Sequence, residues 1–204
     1  MKKAQKTMIF ILCGALCAVL LACASGGGSS GGGAAAGGVV EGTWEWVPTT
    51  EFSDGNDSTC FVEIAEEVID GETVQTVSIH GTVTATAQYG ESQSKIIPDE
   101  ATLELLRTCT AISFKVLGDG RNYILRMPTK AVTDWGFHMN RFNTTQGEVE
   151  EIFLPIRSFR QPDWAAGQRF YQNQVELIEF TTRNNAEGGL GDWAIKIWDF
   201  KLHF

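Results

Sequence analysis

The sequence predicts an all-β chain, an antiparallel β-sandwich of jelly-roll type with one short helix, and three observations carry that prediction. Apolar residues alternate with polar ones over most of the chain, the period of half-buried strands. Turn signals built from Gly, Asp and Asn, such as Asp70-Gly71 and Gly118-Asp119-Gly120, separate these runs. Only one stretch, EATLELLRT after Pro98-Asp99, opens with acidic residues and places Leu103 and Leu106 on one side, as a short helix requires.

In chain order, Lys2, Lys3 and Lys6 form a basic segment before an apolar run from Met8 to Leu21, too short to span a bilayer and suited to a signal peptide. Leu20-Leu21-Ala22-Cys23 resembles a bacterial lipobox, so residues 1–22 are expected to be a lipoprotein signal peptide and Cys23 the acylated residue. Residues 23–40 continue as a Gly/Ser/Ala-rich tether with almost nothing to bury. Residues 41–204 then form one domain, since that length supports one substantial core. The expected location is the cell envelope, lipid-anchored on the extracytoplasmic side.

Within the domain, Thr43–Val47 is a strand with Trp44 and Trp46 on one face. Cys60–Ile69 and Thr73–Ala87 are joined by Asp70-Gly71, a strong hairpin signal, and Gly81 suggests a bulge or bend. The stretch ISFKVLGDGRNYILRMP, Ile112–Pro128, is expected to be a hairpin: Ile112, Phe114, Val116, Tyr123, Leu125 and Met127 face a core, and Gly118-Asp119-Gly120 makes the turn. Gly136–Phe142, Glu148–Ile156, Val175–Thr181 and Trp193–Phe204 complete about nine strands. In the last, Trp198 alternates with Phe200 and Leu202 and is expected in the core.

Charge and cysteines narrow the function. All 25 acidic residues lie beyond residue 40; loss of the three leader lysines leaves 13 basic residues, a net charge of −12. That surface repels nucleic acid. Cys13 and Cys17 leave with the leader, so Cys60 and Cys109 remain, as one disulfide or as two buried thiols. With three histidines and no GxSxG, P-loop or HExxH pattern, nothing assembles an enzyme. Glu148 and Glu150 share one strand face, which is ordinary for solvated strand residues.

A binding surface is better supported. Sugars are held by rings stacked on their C–H faces and by planar polar groups on their hydroxyls. Arg126 alternates away from Tyr123, Leu125 and Met127, and His138 and Asn140 away from Phe137 and Met139; pairing of the two strands would gather Arg126, His138 and Asn140 on a non-core face, with Asp134 and Trp135 at its entrance. Trp164, in the loop sequence QPDW, is a further platform. Asp54, Asn56 and Asp57 offer hard oxygen ligands at a spacing that suits calcium, although DGN is equally an ordinary turn.

ISFKVLGDGRNYILRM, GEVEEIFLPIRSF with QPDW, VELIEF and WAIKIWDFKL together resemble the complex I intermediate-associated protein domain, which is similar to family 11 carbohydrate-binding modules of galactose-binding-like fold. The resemblance covers Ala111–Leu202, and Glu41–Thr110 only through its polar loop and strand pattern. It implies a non-catalytic domain whose concave sheet face binds glycan, and a structural calcium shared between the early loop and Asp199 of a late strand. It also implies an alternative, a protein-interaction or assembly domain of the cell envelope using the same face. This chain offers few tyrosines for such a face, Tyr89, Tyr123 and Tyr171, of which Tyr123 alternates to the core side.

Overall fold

A computed structural model of the chain describes residues 38–49, 55, 57–86, 90–183 and 189–204. Cys23 and the greater part of the tether lie outside the described residues. The elements are β1 (Val39–Glu41), β2 (Trp44–Pro48), β3 (Thr59–Ile69), β4 (Glu72–Val83), β5 (Glu91–Pro98), α1 (Glu100–Leu106), β6 (Ala111–Leu117), β7 (Asn122–Met127), β8 (His138–Asn143), β9 (Val149–Pro155), β10 (Ile178–Arg183) and β11 (Gly191–His203). Two antiparallel sheets face each other. One has the order β3-β4-β11-β6-β9, with β1 beside β11, and the other β2-β5-β10-β7-β8.

The core is where the inner faces meet. Phe114, Val116, Ile79 and Ile195 from the first sheet pack with Tyr123, Leu125, Phe142 and Phe180 from the second. Rings interlock across the interface: Phe114 of the first sheet meets Phe142 edge-on at 5.3 Å and Phe180 at 6.3 Å. Burial of each such side chain stabilises the fold by about 1.5–3 kcal/mol. The expected helix is present as α1, capped by Asp99, whose carboxylate accepts the Thr102 amide at 2.8 Å.

Asp70-Gly71 makes the expected two-residue hairpin turn between β3 and β4; both residues have positive φ, at 54° and 85°. The stretch 112–128 differs from expectation. It is a crossing between sheets and not a hairpin, because β6 pairs with β11 and β9 while β7 pairs with β10 and β8. The two strands alternate as expected, but their apolar faces meet across the core instead of lying side by side. The Asp119 carboxylate ties the corner to β11, accepting the Ala194 amide at 3.0 Å.

Two strands were not foreseen. β1 lies at the junction of tether and domain, pairing Val39–Glu41 with β11. β5 was hidden by its sequence, ESQSKIIP, since two of its core-facing residues are serines. They are buried because their hydroxyls are satisfied: Ser92 Oγ donates to the Thr59 carbonyl at 2.5 Å and Ser94 Oγ to the Val47 carbonyl at 3.1 Å.

Two placements on the first sheet also change. Gly81 causes no bulge, since β3 and β4 pair without a break; it is instead a place where the backbone of β3 at Thr59 leaves no room for a Cβ. The bulge lies in β11, where Asp199 and Phe200 stand opposite the single residue Phe114, and Asp199 takes φ 57°. One extra residue inverts the phase. Phe200 and Leu202 point into the core, whereas Trp198 pairs with Lys115 on the opposite face; it is buried as expected, at 5% exposure, but outside the cluster between the sheets. Cys60 and Cys109 are free, buried thiols, and burial pushes both up to about 11.

Candidate functional site

The outer face of the five-stranded sheet is built by strands β2, β5, β10, β7 and β8. Register places Lys95, Glu179, Arg126 and Met139 in one row across it, Gln93, Thr181, Ile124 and Arg141 in the next, and Glu91 with Arg183 beyond. Its ordering element is Arg126, only 5% exposed. Its guanidinium donates to both oxygens of Glu91, at 2.7 and 3.0 Å, and lies 3.7 Å from Glu179; Arg183 also reaches Glu91 at 2.6 Å. Because Arg126 and Glu91 stand on either side of β10, their paired side chains cross over it, above the buried Thr181 and Ile124.

Electrostatics distinguish the two carboxylates. Burial is the largest single influence on Glu91 and opposes its charge, but Arg126 and Arg183 together hold its pKa below the ordinary value. Burial pushes Glu179 the other way, above the ordinary value, and the weaker attraction of Arg126 and Lys95 does not offset it. Arg126 is on the outer face, as its alternation implied, but both of its terminal nitrogens are committed to Glu91 of the same sheet.

His138 and Asn140 do not share that face. They pair with Met127 and Leu125, so both lie on the inner side, and it is Met139 and Arg141 that point outward. The phase of β8 is set by Phe142, a core ring, and not by Phe137 or Met139. His138 is buried under the segment 160–170: its Nε2 bonds the Gln168 carbonyl at 3.0 Å, its ring lies 4.9 Å from Phe170, and burial holds its pKa below the usual histidine range. Asn140 donates to Ser158 Oγ at 2.6 Å.

At the β8 edge the structure brings Asp134, Trp135 and the loop of Trp164 together. Asp134 accepts the Gly136 amide at 3.0 Å and the Ala166 amide at 3.2 Å, and the Gln161 amide donates to the Gly136 carbonyl at 2.6 Å. Gly136 packs so closely on Ala165 that an added Cβ would lie 2.4 Å from it. Each tryptophan immediately precedes one of these abutting residues. Trp135 is 79% exposed and Trp164 62%, and Trp135 holds φ 65°, a conformation that a bulky residue adopts at a cost. Two large apolar rings are thus presented to solvent from loops locked to one another.

Of the four-residue calcium set, the two described members, Asp57 and Asp199, lie far apart. Asp54 and Asn56 lie outside the described residues, and the Asp57 amide bonds Thr86 Oγ1 beyond the far end of β4. Asp199 sits past Ile197, the partner of Val77, so about nine residues of strand, on the order of 30 Å, separate it from Asp57. Its carboxylate is paired with Lys115 and Lys201. One ion cannot bridge Asp57 and Asp199. Among the described residues, no three His, Cys, Asp or Glu side chains cluster as a metal site would require.

A hollow of about 640 Å³ also opens beside the bulge in β11, floored by Trp44, Trp46 and Phe200 and rimmed by Glu72, Gln75 and Lys201. Unlike Trp135 and Trp164, its rings are largely occupied in packing: Phe200 meets Trp44 at 4.9 Å and Trp46 at 5.8 Å.

Residues 37–196 match the family model for complex I intermediate-associated protein 30. The chain belongs to that family. No individual curated protein matches it. Among solved structures, it is similar to the family 11 carbohydrate-binding module of the cellulosomal cellulase Lic26A-Cel5E of Clostridium thermocellum, at 15% identity and TM-score 0.51, over 80% of this chain and 88% of that one. A family 29 carbohydrate-binding module from Piromyces equi aligns at 8% identity and TM-score 0.35, over 80% and 91% of the two chains. The first likeness shows that this family member has the carbohydrate-binding-module sandwich. The residues that sequence reasoning missed, Glu91, Gln93, Lys95 and Glu179, lie on β5 and β10; the alternation of Glu91, Gln93 and Lys95 was their one available signal.

Proposed function

We propose that residues 41–204 form a non-catalytic glycan-binding domain, displayed by a lipid-anchored tether on the extracytoplasmic side of a bacterial cell envelope. The observation that carries the binding reading is the pair of exposed indoles, Trp135 and Trp164, on loops that Asp134 locks together. A strained Trp135 backbone fixes one ring in place before a ligand arrives, which lowers the ordering cost of stacking. The sandwich fold of a carbohydrate-binding module supports the same reading. The buried Arg126–Glu91 ion pair helps to hold the same sheet rigid.

A glycan array on residues 41–204 tests this. Trp135→Ala and Trp164→Ala should each weaken the selected glycan roughly ten- to a hundredfold, as loss of an aromatic anchor does, with unchanged melting temperatures because both rings are exposed. Variants that fold and bind as the parent protein would move the site elsewhere. For the anchor, wild-type cells fed labelled palmitate should yield a labelled protein and Cys23→Ala cells an unlabelled one; an unlabelled wild type removes the lipoprotein reading. Family membership favours a second reading, an assembly domain that holds a polypeptide. An envelope protein that co-purifies with a domain blind to every glycan would establish it.

A further inference from the structure

Strand β3 closes one side of the six-stranded sheet and, among the described residues, pairs only with β4. Its eleven residues run without a bulge, and the edge carries no proline, lysine or arginine, the usual devices that keep an edge from pairing. Beyond Ile64 it also outruns the sheet, because β4 leaves β11 after Val77, the partner of Ile64. Apolar side chains are exposed along it on both faces: Phe61 at 54% on the outer one, Ile64 at 51% and Val68 at 72% on the inner one.

The charge on this ribbon is of one sign. Between Thr59 and Val83 stand Glu63, Glu66, Glu67, Asp70 and Glu72, with no lysine or arginine. Lys196 neutralises Glu67 at 2.7 Å. Glu63 and Glu66 remain on the two faces of the edge strand. A second copy of β3 laid alongside would bring these carboxylates against their own kind, which disfavours self-pairing.

We propose that the free edge of β3 docks an extended polypeptide segment, added as an antiparallel strand, whose basic residues stand opposite Glu63 and Glu66 and whose apolar residues flank Phe61 and Ile64. Backbone hydrogen bonds to the open edge supply binding and the two glutamates select its charge. This gives the assembly reading a surface and is independent of the tryptophan pair.

The probe is a capped peptide, TKTVKVVT, which sets lysines opposite Glu66 and Glu63 and valines opposite Ile64, Val62 and Phe61; TETVEVVT is its acidic counterpart. Titrated into the full chain, the basic peptide should slow hydrogen exchange of the β3 amides, and the acidic one should not. The double variant Glu63→Lys/Glu66→Lys, at exposed positions, should keep its melting temperature, weaken the basic peptide about tenfold and accept the acidic one. Glycan binding at Trp135 should be unaffected in every sample. Unchanged β3 exchange, equal binding of both peptides, or a dimer of the peptide-free chain joined through β3 would each overturn the proposal.

Discussion

Gly81→Ala is expected to cost about 3 kcal/mol or more and to lower the melting temperature by ~10 °C. Gly81 lies between Cys60 of β3 and Trp193 of β11, and its added Cβ would stand 1.9 Å from the Thr59 carbonyl oxygen and 2.7 Å from the carbonyl carbon. Backbone cannot yield as a side chain can. The carbonyl is further pinned by Ser92 Oγ, which reaches it from the opposite sheet. Thermal melts of the single variants and of Gly81→Ala/Ser92→Ala form a double-mutant cycle. Release of the carbonyl should make the two losses less than additive, and a Gly81→Ala protein melting within ~2 °C of the parent would show that the crowding is not real.

Arg126→Ala should destabilise by about 3–5 kcal/mol, the cost of stranding buried carboxylates without their cation. Outer-face alternation alone would predict no effect on stability; the ion pairs to Glu91 and Glu179 reverse that expectation. The pH dependence gives a second readout. Glu91, with its pKa lowered in the fold, contributes stability that is present above its unfolded value and lost as pH falls through the folded one. Glu179, with its pKa raised, does the reverse: its contribution is complete below the unfolded value and lost as pH rises through the folded one. Loss of Arg126 raises both, so the variant should gain more than the parent on acidification from pH 7 to pH 5. Melting temperatures measured across that range should converge, and a constant gap would refute the lattice. Arg126→Lys should rescue little, because an ammonium cannot reproduce the two-pronged contact.

Much of the fold was legible because strand alternation is a local property. The Asp70-Gly71 turn, the short helix after Pro98-Asp99 and the core phases of β6 and β7 follow from neighbours in sequence, whose conformations limit one another directly. β5 escaped because serines under a sheet look exposed until the carbonyls of Thr59 and Val47 arrive from other strands to receive them. The phase of β8 escaped because its apolar residues fall on both faces, and the choice of Phe142 over Phe137 and Met139 is made by Phe114, Tyr123 and Phe180, which surround it.

For the candidate site the division has the same physical origin. By itself the sequence determined that the domain is an antiparallel sandwich, that Trp135 stands at the entrance of a strand and that Trp164 sits in a loop, because periodicity and turn chemistry need no distant partner. Tertiary structure alone decided that Ile112–Pro128 crosses between sheets, that one extra residue in β11 turns Trp198 outward, and that Arg126 is spent on Glu91. Each of those outcomes depends on which strand lies alongside, and residues as far apart as Glu91 and Arg126 interact only once β5 and β7 have both paired with β10.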